Sequence, residues 1–400
     1  MIHNFYYNFG DYNDPNIYQE NTQEKKQEKK QEKNKKEHIV EITIEDIIKK
    51  IQVRNQEEKN QEERNKEIKE STERKEKDNK NNDKEKININ IEINNINDLL
   101  NLIEKYPLDD KIDYNINMNS LHKIKEPLIE LNNMIGMKNI KENILYQLLY
   151  FIQDMHKIGT NTNDFMHTVI YGIPGTGKTE VAKIIGKIFA NLGILKKGTF
   201  KKVTRNDLIA GYLGQTAIKT KAVINESLGG VLFIDEVYSL GNIDKRDSFS
   251  KECIDTLCEA LSDKKDELMV IIAGYEKEIN ECFFSYNEGL SSRFTWRFNT
   301  DEYNSGELYQ IFKKKVNNIG WILDNEITAI WFDKNKKNFK FQGRDMEILL
   351  FKTKIVHSKR VFCRPLEEKT KIIVKDLEKG LELFLKNNEV SKNIMSSIYI

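Results

Sequence analysis

The chain has 400 residues, of which 38% are hydrophobic and 32% are charged, and its formal net charge is +1. A chain of this length can bury one large core or two modest ones, and its balanced charge creates no overall field that would attract nucleic acid or an anionic membrane. No apolar run approaches the roughly 20 residues that span a bilayer, and the first residues lack the apolar stretch of a secretory signal. We therefore expect an intracellular, soluble protein, most simply cytoplasmic, with no membrane partner.

Residues 1–86 are predicted to be a low-complexity, mostly disordered region. From about Asn21 to Lys86 the sequence is dominated by Lys, Glu, Gln and Asn, which bury too little apolar surface to offset the entropy lost on ordering. Within this region the segment 41–54 places four isoleucines on one helical face, at positions 44, 47, 48 and 51. The segment is either a marginal isolated helix or a helix that docks on a partner.

A small accessory element is predicted over residues 87–120. Isoleucines alternate at positions 87, 89, 91 and 93, which indicates a strand, and Asp98–Lys105 has the pattern of a short helix that ends before Pro107. The compact domain is expected to begin near Leu121, because apolar residues then recur at helical spacing through Ile152.

The segment Gly172-Ile-Pro-Gly-Thr-Gly-Lys-Thr179, which we call the phosphate loop, predicts a nucleotide site. In this pattern glycines let backbone N–H groups surround the phosphates, Lys178 reaches the β- and γ-phosphates, and the Thr179 hydroxyl ligates Mg²⁺. The apolar run 166–171 indicates a strand before the loop, and the helical spacing after it places the phosphates at a helix N-terminus, which favours anions. The predicted cofactors are therefore ATP and Mg²⁺, bound by residues Gly172, Ile173, Pro174, Gly175, Thr176, Gly177, Lys178, Thr179 and Glu180.

A second segment, Val231-Leu-Phe-Ile-Asp-Glu236, completes the predicted chemistry. Four apolar residues that end in two carboxylates are typical of a central parallel strand that delivers acids to its carboxyl end. Asp235 is predicted to hold Mg²⁺ through water, and Glu236 to polarise the water that attacks the γ-phosphate. Glu236 and Lys178 form the predicted catalytic pair within one chain, and Asp235 joins Thr179 as a predicted metal-binding residue.

The remaining pattern predicts an α/β core over residues 121–300 and an α-helical lid over residues 301–400. Strands are expected at Phe200–Thr204 and Leu268–Ala273 with helices between them, which implies a parallel sheet covered by helices on both faces. Beyond about Asp301 we expect no strands. Three helical patterns follow, marked by Leu308, Ile311 and Phe312, by Met346, Leu349 and Leu350, and by Ile373, Leu377 and Leu381.

Four sequence motifs together resemble the AAA+ ATPases of the CbbX/CfqX group, which also contains the stage V sporulation protein K. They are Tyr-Gly-Ile-Pro-Gly-Thr-Gly-Lys-Thr at 171–179, Asp-Leu-Ile-Ala-Gly-Tyr-Leu-Gly-Gln-Thr at 207–216, Gly-Gly-Val-Leu-Phe-Ile-Asp-Glu at 229–236 and Gly-Leu-Ser-Ser-Arg-Phe at 289–294. The resemblance runs from about Asn132 to His357. It implies a P-loop NTPase fold and a homo-oligomeric, usually hexameric, ring that hydrolyses ATP at its subunit boundaries.

The resemblance also implies roles for residues outside the phosphate loop. Arg293 matches the arginine that a neighbouring subunit supplies to the γ-phosphate, with Arg297 as a weaker candidate and a surface ion pair as the alternative role. Tyr212, Leu213 and Gly214 match an aromatic pore loop that grips an extended polypeptide, unless Tyr212 is buried in its own core. Met134, Ile135 and Gly136 match the segment that packs around adenine.

Two positions depart from the family pattern. Gly274 and Tyr275 stand where related ATPases often present Asn, Ser or Thr as a γ-phosphate sensor. In the lid, the sequence Gly343-Arg-Asp-Met346 replaces Gly-Asn-Ala-Arg, so Arg344 either reaches the phosphates or only caps the lid helix.

The favoured function is an ATP-driven ring that remodels or threads protein substrates of unknown identity. One alternative is a nucleotide-dependent scaffold with weak hydrolysis, which the missing sensor residue favours. Another is a nucleic-acid motor or clamp loader on the same core, although its basic groove is not evident in the sequence.

Overall fold

A computed structural model describes residues 84–157, 164–212 and 214–398, with side chains as far as Lys386. The segment 41–54 and most of the predicted charged region 1–86 lie outside the described residues. Among the helices that are described, none has both the length and the hydropathy needed to cross a membrane.

The first described elements form a strand, a helix and a second strand. They are β1 (Glu85–Ile87), α1 (Ile96–Lys105) and β2 (Ile112–Tyr114), followed by α2 (Met118–Lys123) and α3 (Lys125–Asn132). The predicted helix before Pro107 is confirmed, and it begins at Ile96 because Asn95 caps it in a capping box with Asp98. Leu99, Ile103 and Leu128 of these elements are buried in one core cluster together with residues of the central sheet.

The strand predicted through Ile93 is wrong beyond Ile87. Only three residues of β1 pair with β2, in parallel register. At Ile89 the backbone N–H donates to Oδ1 of Asn115 at 2.9 Å, and its carbonyl accepts from Nδ2 of the same residue. A side chain thus satisfies the backbone where the alternating pattern predicted a strand partner.

The core is a five-stranded parallel sheet in the order β4-β5-β6-β3-β7. Its strands are β3 (Thr168–Tyr171), β4 (Phe200–Val203), β5 (Val231–Ile234), β6 (Met269–Gly274) and β7 (Trp296–Asn299). The three strands predicted at 166–171, 200–204 and 268–273 are confirmed to within two residues at each end. The strand order places β3, which leads into the phosphate loop, between β6 and β7.

Helices cover both faces of this sheet, as predicted. They are α4 (Lys138–Ile152), α5 (Lys178–Asn191), α6 (Arg205–Leu208), α7 (Thr216–Ser227), α8 (Ser248–Asp263), α9 (Glu276–Cys282) and α10 (Glu288–Arg293). Alternation along β5 divides the core in two: Val231 and Phe233 pack with α4 and α5, whereas Leu232 and Ile234 pack with α7 and α8.

The C-terminal part is mainly helical, and the three predicted helical patterns are confirmed. Its elements are α11 (Ser305–Asn318), β8 (Ile322–Leu323), α12 (Ala329–Asn335), α13 (Gln342–Arg360), α14 (Leu366–Lys369), β9 (Lys371–Ile372) and α15 (Val374–Ile398). The expectation that strands stop near Asp301 is wrong, because β8 and β9 pair in parallel. Strands of two residues are too short for an alternating pattern to reveal them. The domain boundaries at 86, 120 and 300 stay predictions.

Candidate nucleotide site

A cavity of about 570 Å³ lies at the carboxyl ends of β3, β5 and β6. This is the edge of an open parallel sheet at which ligands generally bind. The segment before α4 forms one further wall, and α11 and α13 of the lid form another. Predicted site residues that line the cavity are Ile135, Gly172, Pro174, Gly175, Gly177, Lys178, Thr179, Glu180, Asp235, Glu236 and Arg344.

The phosphate loop joins buried strand β3 to helix α5, as its sequence predicts. Gly177 is the left-handed N-cap of α5, so the first N–H groups of the helix are available at the loop. At Gly175 φ is +82°, and an added Cβ would lie 2.1 Å from the carbonyl oxygen of Phe341. Ile173 and Thr176 do not line the cavity; the buried Thr176 hydroxyl donates to the Ile173 carbonyl at 2.8 Å and braces the loop from behind.

Lys178 supplies a partly dehydrated positive charge inside the cavity. Its Nζ donates to the carbonyl oxygens of Gly172 at 2.8 Å and Ile173 at 2.9 Å. Burial lowers the pKa of this ammonium group, while the nearby carboxylates of Asp235 and Glu236 act in the opposite direction. An ammonium group held in this way is suited to bind phosphate oxygens, because these anionic oxygens take the place of the water molecules that burial has removed from around it.

The two carboxylates follow β5 directly. Oδ2 of Asp235 accepts from Nζ of Lys202 at 2.6 Å, a contact that the sequence did not suggest. Glu236 has φ of +51°, a left-handed backbone that is uncommon for a residue other than glycine, asparagine or aspartate. Such local strain is often found at functional positions. Thr179, Asp235 and Glu236 present the hydroxyl and carboxylate oxygens that Mg²⁺ prefers, so these residues fit the ion.

Arg205 secures the turn that follows Glu236. Its guanidinium group donates to the carbonyl of Ser239 at 2.7 Å, to that of Leu240 at 3.0 Å and to Asp247 at 2.6 Å. Because Ser239 and Leu240 belong to the 3₁₀ turn after Glu236, Arg205 fixes the backbone that carries this carboxylate.

The segment Met134–Met137 forms the wall where the resemblance implies adenine. Met134, Ile135 and Met137 line the cavity, and Gly136 lies directly against Glu307 and Tyr303. Lys141 holds this segment from α4, since its Nζ donates to the carbonyl oxygens of Asn132 at 2.9 Å and Met134 at 2.5 Å. Burial lowers the pKa of Lys141. The sequence did not identify this lysine.

The phosphate loop accepts three hydrogen bonds that the sequence did not predict, two from the lid and one from Thr300 at the end of the core. The Tyr303 hydroxyl donates to the Thr176 carbonyl at 3.2 Å, and the Thr300 hydroxyl donates to the Thr176 hydroxyl at 3.0 Å. The Gly343 N–H donates to the Gly175 carbonyl at 3.2 Å. Tyr303 directly precedes Asn304, the N-cap of α11, so the capping box from Asn304 to Glu307 was the available sequence signal.

Comparisons with known proteins agree with this geometry. Residues 168–300 match the sequence profile of the "ATPase family associated with various cellular activities (AAA)". The putative cfxQ-like protein R730 of Acanthamoeba polyphaga mimivirus is 43% identical over 291 residues, which cover 72% of this chain and 71% of that protein. The chain belongs to the CfxQ-like group of AAA ATPases.

Two further relatives extend this comparison. Stage V sporulation protein K of Bacillus subtilis (strain 168) is 39% identical over 206 residues, which are 51% of this chain but only 63% of that protein. The chloroplastic ribulose bisphosphate carboxylase/oxygenase activase of Cyanidioschyzon merolae (strain NIES-3377 / 10D) is 32% identical over 257 residues, or 62% of this chain and 87% of that protein.

Three residues for which the resemblance implies a role lie away from the cavity of this CfxQ-like chain. Arg293 ends α10, where its guanidinium group donates to the Ser262 hydroxyl at 2.6 Å and to the Gly289 carbonyl at 2.5 Å. Arg297 donates to Ser291 and lies over the ring of Phe284, so it braces α10. Tyr212 is 74% exposed, which excludes its burial in its own core. Its neighbour Gly214 is also exposed, and Leu213 lies outside the described residues.

Both positions that depart from the family pattern line the cavity. Tyr275 packs against Tyr238, with ring centroids 6.0 Å apart, so an aromatic pair stands at the end of β6. Arg344 lies at the start of α13, and its charge contributes to the lowered pKa of Lys178. Arg344 therefore lies beside the phosphate loop, next to Gly175, although its position in the motif is displaced.

Proposed function

We propose that this CfxQ-like chain binds Mg²⁺-ATP in the cavity and hydrolyses it to ADP and phosphate. The observation that carries the proposal is the convergence of the phosphate loop, Lys178 and the Asp235–Glu236 pair on one cavity. A metal ion bound there would supply neutralisation of charge between the phosphates. The chain itself holds the phosphates on the N–H groups before α5 and orients them with Lys178.

In this proposal Glu236 orients the attacking water and accepts its proton. Its carboxylate lies in the cavity wall, and Arg205 holds the turn that follows it. Asp235 and Thr179 provide the oxygen atoms for the metal. Arg344 and Lys178 offset the negative charge that develops on the transferred phosphoryl group.

The variant Glu236→Gln tests the hydrolytic step. It keeps the shape of the side chain but removes the base, so ATP should bind with affinity within about threefold of the parent while phosphate release falls by roughly 10²-fold or more. Binding is measured with a fluorescent ATP analogue and turnover by phosphate release. Unchanged turnover in this variant would contradict the assignment of Glu236.

We further propose that the chain works as a homo-oligomeric ring that remodels protein substrates. Support comes from Arg293, which lies away from the cavity of its own chain, and from the exposed Tyr212 between two glycines. An exposed aromatic residue flanked by glycines offers contact area to an extended polypeptide. Tyr212→Ala should abolish substrate-stimulated ATPase activity but leave basal turnover intact. Equal stimulation of both proteins would count against this role of Tyr212.

A further inference from the structure

Two adjacent lysines of the outermost strand β4 make ion pairs on opposite faces of the sheet. Lys201 pairs with Glu226 of α7. Lys202 pairs with Asp235, the carboxylate to which the proposed function assigns the metal. Successive side chains of a strand point to opposite faces, so the two lysines share a backbone but face different surroundings.

Lys202 lies on the face of the sheet that carries the phosphate loop. In the parallel register it is directly opposite Phe233, and its Nζ is 5.8 Å from the centre of that ring. Phe233 packs in the core cluster that contains Val181 and Ile185 of α5, the helix that begins with Lys178 and Thr179. The stem of Lys202 therefore runs along Phe233 toward Asp235, two residues further along the same face of β5.

The Asp235 carboxylate thus contacts one ammonium group directly and feels the charge of a second. Lys202 bonds to Oδ2 at 2.6 Å, and Lys178 is near enough to interact electrostatically with the same carboxylate. The side chain of Asp235 is 23% exposed and that of Lys202 is 46% exposed. Lys202 can therefore move into solvent without opening the core.

We propose that Lys202 competes with Mg²⁺ for the Asp235 carboxylate, so that metal binding in the nucleotide site weakens or breaks the Lys202–Asp235 ion pair. The inference rests on the proposed function, because it takes Asp235 as a metal-binding residue. Lys202, which does not itself line the cavity, then sets the metal requirement of the site.

The direction of the effect follows from charge. A divalent ion near Asp235 is repelled by an ammonium group that already occupies one oxygen of the same carboxylate. The opposing benefit, a carboxylate held in place, is small for a lysine that is nearly half exposed, because such pairs are screened by solvent. Removing the charge should therefore tighten metal binding.

The test measures metal binding directly. Mn²⁺ is titrated into full-length protein saturated with ADP, and free Mn²⁺ is followed by electron paramagnetic resonance. For Lys202→Met we expect the half-saturating Mn²⁺ concentration to fall roughly three- to tenfold relative to the parent, whereas Lys202→Arg, which keeps the charge, should stay within about twofold. Lys201→Met is the matched control, since it removes the neighbouring charge on the other face and should also stay within about twofold.

A double-variant cycle makes the test specific. In an Asp235→Asn background, Lys202→Met should no longer change the half-saturating concentration, because the contested carboxylate is absent. If the parent binds Mn²⁺ with ADP but Lys202→Met leaves the concentration unchanged or raises it, the competition is refuted and the proposed function survives. An equal change in Lys201→Met also refutes it, since the effect would then be one of net charge. If the parent shows no nucleotide-dependent Mn²⁺ binding, both proposals fail.

Discussion

Tyr303 joins three walls of the cavity through one side chain. Its ring lies against Gly136 of the Met134–Met137 segment and Gly343 of the lid, and its hydroxyl donates to the carbonyl of Thr176 in the phosphate loop. Burial raises the pKa of Tyr303 to about 12, so the hydroxyl stays protonated and remains a donor throughout the physiological range. Tyr303 thereby restrains the phosphate loop against the lid.

Removing that single hydroxyl should weaken nucleotide binding more than stability. For Tyr303→Phe we expect the Kd for ADP to rise roughly three- to tenfold, which corresponds to the loss of one hydrogen bond of about 0.5–1.5 kcal/mol. Isothermal titration provides the Kd and thermal unfolding the stability. Tyr309→Phe, at a half-buried tyrosine of α11, is the control and should change neither. A fall in melting temperature without any change in Kd would mean that Tyr303 is purely structural.

Gly175 tests how closely the lid approaches the phosphate loop. An alanine at this position would have to adopt a left-handed backbone, and its Cβ would also clash with the carbonyl oxygen of Phe341. Gly193 has a similar φ of +79° but nothing within 4 Å of an added Cβ, so it isolates the backbone effect. Gly193→Ala should therefore cost only the backbone term of about 1–2 kcal/mol, with nucleotide affinity retained. Gly175→Ala should in addition abolish measurable nucleotide binding. Comparable nucleotide affinities in the two variants would disprove a close approach in solution.

At the scale of elements, His167 links β3 to β6 and α8. It is fully buried: Nδ1 accepts from the Val270 N–H at 3.1 Å, so Nε2 carries the proton and donates to the Leu261 carbonyl at 2.9 Å. These two bonds require a neutral imidazole ring. Burial lowers the pKa of His167 to about 4.

This histidine predicts a loss of stability in mild acid. Between pH 6.5 and pH 4 this histidine is protonated in the unfolded chain but stays neutral in the folded one. The contribution of neutral His167 to the free energy of unfolding is therefore complete above pH 6.5 and is lost as pH falls. The loss should reach the order of 3 kcal/mol near pH 4. Urea unfolding at several pH values measures it, and His167→Gln should show a smaller slope over this window. Identical slopes in both proteins would show that His167 is not the group responsible.

A second buried cluster joins the helices of the lid. Asp376 of α15 accepts from Arg360 at 2.9 Å, and its Oδ2 lies 3.0 Å from Nδ1 of His357; both partners belong to α13. Burial acts to raise the pKa of Asp376, but hydrogen bonds from Arg360 and other partners, together with the Arg360 charge, outweigh it and hold this pKa below its usual range. The lid helices are thereby fixed to each other by charged as well as apolar contacts.

The sequence predicts the elements of this fold better than their ends and contacts. Strands β3 to β6 and the helices around them follow from long periodic patterns, and the phosphate loop, Asp235 and Glu236 follow from local spacing. The contacts of Lys202, Lys141 and Tyr303 could not be inferred, because each joins segments that are distant in sequence. The register between β4 and β5, which brings Lys202 to Asp235, depends on the assembled sheet.

At the scale of the whole molecule, the proposed ring predicts complementation between two inactive variants. Glu236→Gln lacks the base and Arg293→Ala lacks the arginine, so each alone should be slower by roughly 10²-fold or more. If every site combines Glu236 of one chain with Arg293 of its neighbour, an equal mixture should restore about a quarter of the sites by random assembly.

The complementation is measured as phosphate release after the two variants are mixed and allowed to exchange subunits. The control is parent protein mixed with Glu236→Gln so that about a quarter of the sites again have both residues. It shows how much activity a mixed assembly with this fraction of intact sites retains. Turnover that equals the sum of the separate variants would show that Arg293 does not act across a subunit boundary.

The walls of the cavity are drawn from widely separated parts of the chain, from Met134 before α4 to Glu347 in α13. The stretch that matches the AAA profile, residues 168–300, contains the phosphate loop and both carboxylates but neither the Met134–Met137 segment nor the lid. Gene duplication or recombination that moved this stretch alone would transfer the recognisable motifs without a complete binding site. The segment that must be inherited together to keep the whole cavity, from Met134 to Glu347, is therefore longer than the segment that matches the AAA profile.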